Sequence, residues 1–264
     1  MGKIKQFFGR RSSWSIPYLI FMLIFVVLPL ILVVFYAFRS PQGGFTLDNI
    51  KTFINEKESV NTLLYSIGIA LINTAICILL GYPAAYILSS SRFSSSSVMV
   101  ALFLIPMFIN VLMRTLATVA LFGFIHVPLG QATLIFGMVY NYLPFMILPI
   151  YTVLQKLDRS YIEAAQDLGA DSMRVFFRVT LPLSMPGVVS GIMMVFMPTI
   201  STFAIAELLT MNNIKLFGTI IQENINNGMW NYGALLSLIM LILIVLTNLF
   251  NEDKEEASAA GGLI

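Results

Sequence analysis

Long hydrophobic runs alternate with short polar segments along the chain. Several of these runs continue without interruption past the roughly 18 residues that mark a candidate transmembrane helix. We interpret six of them as membrane spans, at 16–38, 62–88, 98–123, 131–155, 185–210 and 232–250. Because the strands of a membrane barrel alternate in polarity, these continuous runs predict an all-α polytopic membrane protein.

The composition supports a membrane environment over water. Charged residues make up 11% of the chain and hydrophobic residues 58%, whereas a soluble domain carries about 25% charged residues. The chain has one cysteine, Cys77, and one histidine, His126, too few for a disulfide framework, a thiolate metal cluster or a Cys/His nucleophile. We therefore expect no metal site, no catalytic site and no nucleic-acid partner.

The lysines and arginines predict the orientation of the spans, because cytoplasmic loops of membrane proteins are enriched in both. Residues 1–11 are basic and precede a long apolar run without a cleavage site, which indicates an uncleaved first span. Placing both termini in the cytoplasm assigns these residues to the inside: Lys3, Lys5, Arg10, Arg11, Arg92, Lys156, Arg159, Arg174, Arg178 and Lys254. The residues assigned to the outside are Arg39, Lys51, Lys57 and Lys215.

The domain organisation follows from the spans. We expect residues 1–250 to form one transmembrane domain. Residues 251–264 are acidic and then rich in small residues, and we interpret them as a polar tail that is either disordered or foreign to the native chain.

The longest loop assigned to the cytoplasm is residues 156–184, named here the EAA loop for its Glu-Ala-Ala triplet. Positions 161–168 predict a short helix, and Gly169 is the residue type that commonly ends a helix in a left-handed conformation. The acidic residues Glu163 and Asp167 lie beside small residues in this helix. Small residues let another backbone approach closely, and the charges would orient it.

A second short helix is expected in the EAA loop at 172–179. Asp171 is a suitable N-cap for it, and Pro182 and Pro186 are expected to end it before the next span. The whole loop then has two interpretations. It is a docking surface for another protein, or it is an amphipathic segment that lies on lipid headgroups.

The EAA loop resembles a motif of ABC-importer permeases. Its sequence reads EAAQDLGADSMRVFFRVTLPLSMPG, and the family pattern is E-A-A, three residues, G, and later a hydrophobic stretch ending in L-P. The matching residues are Glu163, Ala164, Ala165, Gly169, Leu181 and Pro182. In that family the loop is a coupling helix, held in a groove of a separate ATPase. The ATPase-coupling residues that the resemblance implies are Glu163, Ala164, Ala165, Asp167 and Gly169.

The resemblance extends to spermidine/putrescine permeases of the PotB type, within the binding-protein-dependent transport inner-membrane components. The similar stretches are GYPAAYIL (81–88), IPMFINVLMRTL (105–116), VYNYLPFMILPIY (139–151) and QKLDRSYIEAAQDLGA (155–170). This resemblance implies a type I ABC importer permease fold with six spans and a cytoplasmic coupling helix, in a bacterial inner membrane. It also implies polyamine import by alternating access.

The resemblance further implies a set of partners. These are a second homologous permease, an ATP-binding-cassette ATPase dimer and an extracytoplasmic polyamine-binding protein, besides the polyamine and membrane lipid. The chain contains no G-x-x-x-x-G-K-[ST] phosphate loop, the motif whose backbone cradles nucleotide phosphates. ATP and Mg²⁺ are therefore expected on the partner ATPase, and this chain is expected to be a non-catalytic subunit.

Two ionisable residues lie within predicted spans, Arg114 in the third and Glu207 in the fifth. An intramembrane charge costs about 3 kcal/mol on insertion scales, so each needs a partner or water. Three interpretations stay open. Arg114 and Glu207 pair with each other or with loop groups, Glu207 faces the pathway and attracts an ammonium group, or Glu207 lies at the water interface.

A polyamine pathway would need oxygen acceptors for ammonium groups and aromatic faces for cation–π contact. Polar and aromatic residues of that kind lie within the third and fourth predicted spans. The candidates are Tyr140, Asn141, Tyr142 and Asn110. The alternative for them is hydrogen bonding between helices, which is common in membrane proteins.

Two rival transport functions follow from the same features, and a third alternative, a structural membrane scaffold without transport, leaves the EAA loop unexplained. One is an ABC importer permease for another small solute, and an anion would then require basic pathway residues. The other is a secondary transporter driven by an ion gradient, a class that usually shows internal repeats and more intramembrane acids.

Overall fold

The structure, a computed structural model, describes residues 16–40, 43–89, 102 and 105–261. This part of the chain is mostly helical, and its strand pairing is limited to one antiparallel bridge between Arg39 and Phe45. The helices are α1 (Ile16–Met22, Leu23–Val27 and Leu28–Ala37), α2 (Asp48–Asn55), α3 (Lys57–Ser89), α4 (Val111–Phe124), α5 (Gln131–Lys156), α6 (Ser160–Asp167), α7 (Ser172–Val175, Phe176–Thr180 and Leu181–Ser201), α8 (Ala204–Thr210), α9 (Phe217–Asn226) and α10 (Trp230–Gly261). The middle segments of α1 and α7 are π-helical turns.

Five of the described helices are long and apolar enough to cross a membrane. Their candidate spans are Pro17–Ala37, Lys57–Ser89, Gln131–Lys156, Ser172–Ser201 and Trp230–Asn248. The prediction of an all-α polytopic membrane protein is confirmed. The first, second, fourth and sixth predicted spans overlap these helices closely, whereas the third and fifth differ from the structure.

The third predicted span, 98–123, is not one continuous helix where the structure describes it. Residues 105–108 are helical, but Asn110 has extended backbone angles (φ −53°, ψ 132°) and α4 begins after it. The 14 residues of α4 rise about 21 Å, less than the roughly 30 Å of a bilayer core. Residues 98–101 and 103–104 lie outside the described residues.

The helix that contains most of the fifth predicted span, 185–210, has other bounds than that span. The helix begins inside the EAA loop at Ser172 and ends at Ser201. Thr202 then adopts extended backbone (φ −67°, ψ 138°), which interrupts the helical hydrogen bonds, and α8 follows as a separate short helix.

Pro182 and Pro186 do not end the second helix of the EAA loop, contrary to expectation, because α7 passes through both. Residues 176–180 form a π-helical turn directly before them, in which the N–H of Leu181 donates to the carbonyl of Phe176. Proline has no N–H, and a local widened turn is one of the adjustments by which a membrane helix continues through proline.

The end of the chain also differs from expectation. The structure continues α10 through residues 251–261, where we expected a polar tail outside the fold. The sequence there, NEDKEEASAAG, is rich in Glu, Lys and Ala, which have high helix propensity and extend the preceding helix at low cost.

Contacts divide the chain into two compact units. The first comprises the described parts of residues 1–57 and 221–243, and the second the described parts of 58–220 and 244–264. In the first unit, no residue of the most apolar window of α1 is buried. Tyr232 donates a 2.6 Å hydrogen bond to the carboxylate of Glu56.

The core of the second unit is built on α5. Six of its buried apolar residues are spaced four positions apart, so that each lies close to the next along the surface of the helix. They are Leu134, Met138, Tyr142, Met146, Ile150 and Leu154. This stripe packs against α7, and the two helices share an extensive contact.

Two glycines of α7 let its backbone lie directly on α5. A Cβ added at Gly187 would lie 2.9 Å from the carbonyl oxygen of Pro149 and 3.0 Å from the Cα of Ile150. One added at Gly191 would lie 2.7 Å from the Sδ of Met146. Because Gly187 and Gly191 are four residues apart, they form one flat strip, the small-xxx-small arrangement of closely packed membrane helices.

Candidate functional site

The EAA loop ends its first helix as the sequence predicts. Gly169 has a left-handed backbone (φ 80°), a conformation that a residue without Cβ adopts without strain. Its N–H donates to the carbonyl of Gln166 over 2.9 Å, and the N–H of Ala170 donates to that of Ala165 over 3.0 Å. These two bonds are the Schellman motif, which closes α6 and turns the chain sharply into α7.

The surface of α6 faces away from the rest of the chain. None of its residues is buried, and Glu163, Ala164 and Asp167 are exposed. Within the described part of the chain, the two carboxylates form no salt bridge. Leu168, just after the helix, is 90% exposed. Acids, small residues and an apolar side chain therefore lie together on a surface that the described residues leave uncovered.

The start of α6 is held by a local cap. Asp158 accepts a 3.0 Å hydrogen bond from the backbone N–H of Ser160. That bond lowers the pKa of the Asp158 carboxyl below its ordinary value of 3.8, since it favours the charged form. Asp158 and Gly169 thus define the two ends of α6.

Asp171 lies at the predicted N-cap position of α7, but its side chain makes no capping hydrogen bond. The carboxylate instead faces Arg174 at 3.7 Å in an exposed salt bridge. An exposed pair of this kind contributes little to stability. The predicted position is right and the predicted capping contact is absent.

Arg114 is buried between α4 and α5, with 6% of its surface exposed. Its Nη1 donates to the carbonyl of Pro106 over 3.0 Å, and its Nη2 to the carbonyl of Tyr140 over 2.7 Å. The guanidinium carbon lies 4.6 Å from the centre of the Tyr140 ring. Glu207 is not its partner: the salt bridges between described residues are Lys51–Asp48 and Arg174–Asp171. Carbonyl dipoles and an aromatic face take the place of the expected acid.

Glu207 lies in the first turn of α8, directly after the helix break at Thr202. Its side chain is partly exposed, and no ion pair with another described residue is formed. Of the interpretations drawn from the sequence, pairing with Arg114 is excluded by the contacts of Arg114. A role in the pathway remains a prediction.

The polar residues of α5 connect it to its neighbours. Asn141 is buried, and its Nδ2 donates to the hydroxyl of Thr115 over 3.3 Å and to the carbonyl of Gly137 over 2.9 Å. Tyr142 donates its hydroxyl to the carbonyl of Pro198 on α7 over 3.4 Å. The bonds to Thr115 and Pro198 are the helix-to-helix links that we considered as the alternative to a pathway role, whereas the bond to Gly137 lies within α5.

Asn110 has a local role in the structure. Its side-chain oxygen accepts a 2.8 Å hydrogen bond from the N–H of Leu112, which makes it the N-cap of α4. The residue is exposed. It therefore holds the start of α4, and a role of Asn110 in the pathway remains a prediction.

Several contacts between helices were not predicted from the sequence. The hydroxyls of Tyr82 and Ser184 lie 2.8 Å apart and join α3 to α7. Asn73 donates 2.8 Å to the hydroxyl of Thr199 and forms a second link between the same helices. The close contact of α7 with α5 had a readable signal, the GVVSG pattern at 187–191. The two hydrogen-bonded pairs left no such pattern in the sequence, since the two residues of each pair are more than a hundred positions apart.

Comparison with known families gives one match to this chain. The family described as binding-protein-dependent transport system inner membrane component matches residues 77–252. That range includes the EAA loop, α5 and the glycines of α7.

Curated relatives match nearly the whole chain. The spermidine/putrescine transport system permease protein PotB of Haemophilus influenzae is 31% identical over 249 residues, covering 85% of this chain and 87% of the relative. PotB of Escherichia coli is 31% identical over 247 residues, with 84% and 90% covered. The permease PotC of E. coli is 21% identical over 243 residues, with 89% and 92% covered.

A solved structure shares the fold. It is the bacterial alginate ABC transporter in complex with an alginate pentasaccharide-bound periplasmic protein, one chain of which superposes with a TM-score of 0.69 at 16% identity. The superposition covers 94% of each chain. At that identity the likeness concerns the fold alone.

Proposed function

The chain belongs to the binding-protein-dependent transport system inner membrane components, and from that premise we propose that it is the permease subunit of an ATP-driven polyamine importer. It forms half of the translocation pathway, which opens alternately to the two sides of the membrane. The solute is spermidine or putrescine, the pair named in relatives that are 31% identical to this chain over 84–85% of its length.

The observation that carries this proposal is the uncovered surface of α6. A short helix with a defined start and a Schellman end is rigid, yet none of its residues is buried by the chain. Its acids and small residues are the ones that the resemblance assigns to ATPase coupling. A partner that grips α6 would move α7 with it, because only Leu168 to Asp171 separate the two helices.

We propose the same partners as for an ABC importer. A second, homologous permease completes the pathway, which is supported by the similarity of this chain to both PotB and PotC. An ATPase dimer binds ATP and Mg²⁺ and docks on α6. An extracytoplasmic binding protein delivers the polyamine. This is supported by the alginate transporter of similar fold, which was solved in complex with a periplasmic protein. The termini and the EAA loop face the cytoplasm.

The pathway residues follow from exposure and charge. Glu207 carries a partly exposed carboxylate without an ion pair among the described residues, so it is available to an ammonium group. The ring of Tyr140 is 43% exposed and offers an aromatic face. Asn110 is exposed as well, whereas Asn141 and Tyr142 are buried and support the pathway wall from behind.

The test is uptake of labelled spermidine into proteoliposomes that contain this chain, the second permease and the ATPase, with binding protein and ATP supplied on their proper sides. We expect uptake that requires all four proteins and ATP. Uptake by this chain without the ATPase would overturn the proposal in favour of a gradient-driven transporter. If the complex takes up another solute in an ATP-dependent manner but transports neither spermidine nor putrescine, only the polyamine assignment would be overturned.

A further inference from the structure

The Arg114 guanidinium is bound by two backbone carbonyls and an aromatic ring, and no carboxylate of the described residues pairs with it. The carbonyl of Tyr140 accepts from Arg114 Nη2; in a regular helix it would accept from the N–H of residue 144, which is a proline. The carbonyl of Pro106 lies just before the break at Asn110 and accepts from Nη1. The Tyr140 ring lies against the guanidinium. Two carbonyls and an aromatic face are groups that bind alkylammonium and guanidinium ions.

Arg114 fits these acceptors incompletely. Its Nε is buried, and no acceptor among the described residues lies within hydrogen-bonding distance. The Oδ1 of the neighbouring Asn141 is likewise buried and without a donor in the described part of the chain. A buried N–H without an acceptor destabilises the bound arrangement, and so does a buried charge without a counter-ion. Both penalties fall when the guanidinium moves towards water.

We propose that the carbonyls of Pro106 and Tyr140, with the Tyr140 ring, form a binding site for an organic cation that the side chain of Arg114 occupies in this conformation. The guanidinium is a displaceable occupant rather than a permanent structural link. An arriving alkylammonium or alkylguanidinium ion approaches from the exposed side of Tyr140 and takes over the carbonyl acceptors.

The consequence for transport rests on the proposed function. A polyamine ammonium would compete with Arg114 for this site, so the site is closed by a tethered cation until a solute displaces it. The positive charge of Arg114 also opposes small free cations that enter without a solute, as a fixed arginine does in other selective pores.

The experiment measures binding of methylguanidinium to the detergent-solubilised full chain, with Arg114→Ala compared with the wild type. Removal of the tethered guanidinium exposes the acceptors. We expect affinity for methylguanidinium to rise about tenfold or more, the factor that one charge-assisted hydrogen bond supplies. Spermidine should compete for the site, and Tyr140→Leu in the same background should abolish the gain.

The control is Arg39→Ala. Arg39 also lies over an aromatic ring, 5.5 Å from the centre of Phe35, but it is exposed and its guanidinium donates to neither of the Arg114 acceptors. Its removal should leave methylguanidinium binding at the wild-type level. Equal binding by wild type, Arg114→Ala and Arg39→Ala would overturn the inference.

A second variant covers failure of Arg114→Ala to fold. Arg114→Lys keeps the charge, but one ammonium reaches the two carbonyls less well, so it should show a smaller gain; no gain there would also count against the site. Methylguanidinium binding requires no transport. A gain of binding without spermidine uptake would sink the proposed function only, whereas uptake without any gain would sink this inference only.

Discussion

Gly169 and Gly187 lie in two regions that use glycine for opposite reasons. Gly169, in the EAA loop, has a left-handed backbone and no atom within 4 Å of an added Cβ. Gly187, in the contact between α5 and α7, has ordinary helical geometry and backbone atoms of α5 within 3.0 Å of an added Cβ. The first region presents a shaped surface to something outside the chain, and the second closes the chain on itself. A substitution in the EAA loop should therefore impair function but leave folding intact. A substitution in the α5–α7 contact should impair both.

The largest effect is expected from Gly187→Leu. The added side chain meets the backbone of Pro149 and Ile150, which cannot move aside without separating α5 from α7. Overpacking of this kind costs about 3 kcal/mol or more, so little folded protein should be recovered. The measurement is thermal unfolding in detergent. The matched control is Gly123→Leu in α4, where an added Cβ meets nothing within 4 Å; comparable losses in both variants would contradict the close-contact explanation.

Gly169→Leu should separate function from folding most clearly. A leucine at this position strains the left-handed backbone by about 1–2 kcal/mol and places bulk on the uncovered surface of α6. We expect normal insertion, continued ATP hydrolysis by the assembled complex and a fall of uptake of about tenfold or more. Gly169→Asn is the control, because asparagine tolerates the left-handed conformation and should retain more uptake. Wild-type uptake in Gly169→Leu would contradict a coupling role.

Glu207→Gln tests a partly exposed carboxylate that belongs neither to the EAA loop nor to the α5–α7 contact. It lies in the first turn of α8, just after the helix break at Thr202. The substitution keeps the size of the side chain and removes the charge that would hold an ammonium group. Uptake of spermidine should fall about tenfold at unchanged expression. Glu163→Gln serves as the comparison within the EAA loop, since it should alter ATPase coupling but not the affinity for spermidine. If Glu207→Gln transports normally, the carboxylate has no part in the pathway.

Asn110→Ala should have a smaller effect on stability, about 1 kcal/mol for loss of an N-cap. Asn110→Ser keeps the cap and removes the amide, so the pair separates two roles. If capping is what matters, serine restores both unfolding temperature and uptake. Restored stability with persistently low uptake would assign Asn110 to the pathway instead.

The smallest effect is expected at Asp158. Because its pKa is lowered in the folded protein, its contribution is present above the ordinary pKa and is lost as the pH falls through the folded value, below about 4. At neutral pH Asp158→Ala should therefore fray the first turn of α6, and at acidic pH wild type and variant should become alike. Hydrogen exchange of the α6 amides in the full chain measures this. If the exchange rates of wild type and Asp158→Ala differ by the same amount at every pH, the proposed role of the ionised Asp158 carboxylate is contradicted.

The EAA loop and the α5–α7 contact also differ in how far the sequence predicts them. The end of α6 at Gly169 was predictable, because a helix end depends on neighbours within a few residues. The continuation of α7 through Pro182 and Pro186 was not. Proline normally marks a helix end, and the π-helical turn before Pro182 that overrides this rule is favoured by packing that no local pattern reveals. The sequence left the partner of Arg114 open for a similar reason, since the carbonyl of Tyr140 becomes available only where Pro144 leaves it unbonded.

By itself the sequence determined the solvent, the helical class, most of the spans and the family to which the chain belongs. Hydrophobic length and a local motif carry that information, because insertion into a bilayer and helix ending depend on short windows of residues. The tertiary structure alone decided that Arg114 rests on two carbonyls and a tyrosine ring, that Tyr82 meets Ser184, and that α7 runs unbroken from Ser172. Those outcomes depend on which distant groups the packed helices bring within hydrogen-bonding distance of each buried polar side chain, and most buried polar groups are satisfied in this way.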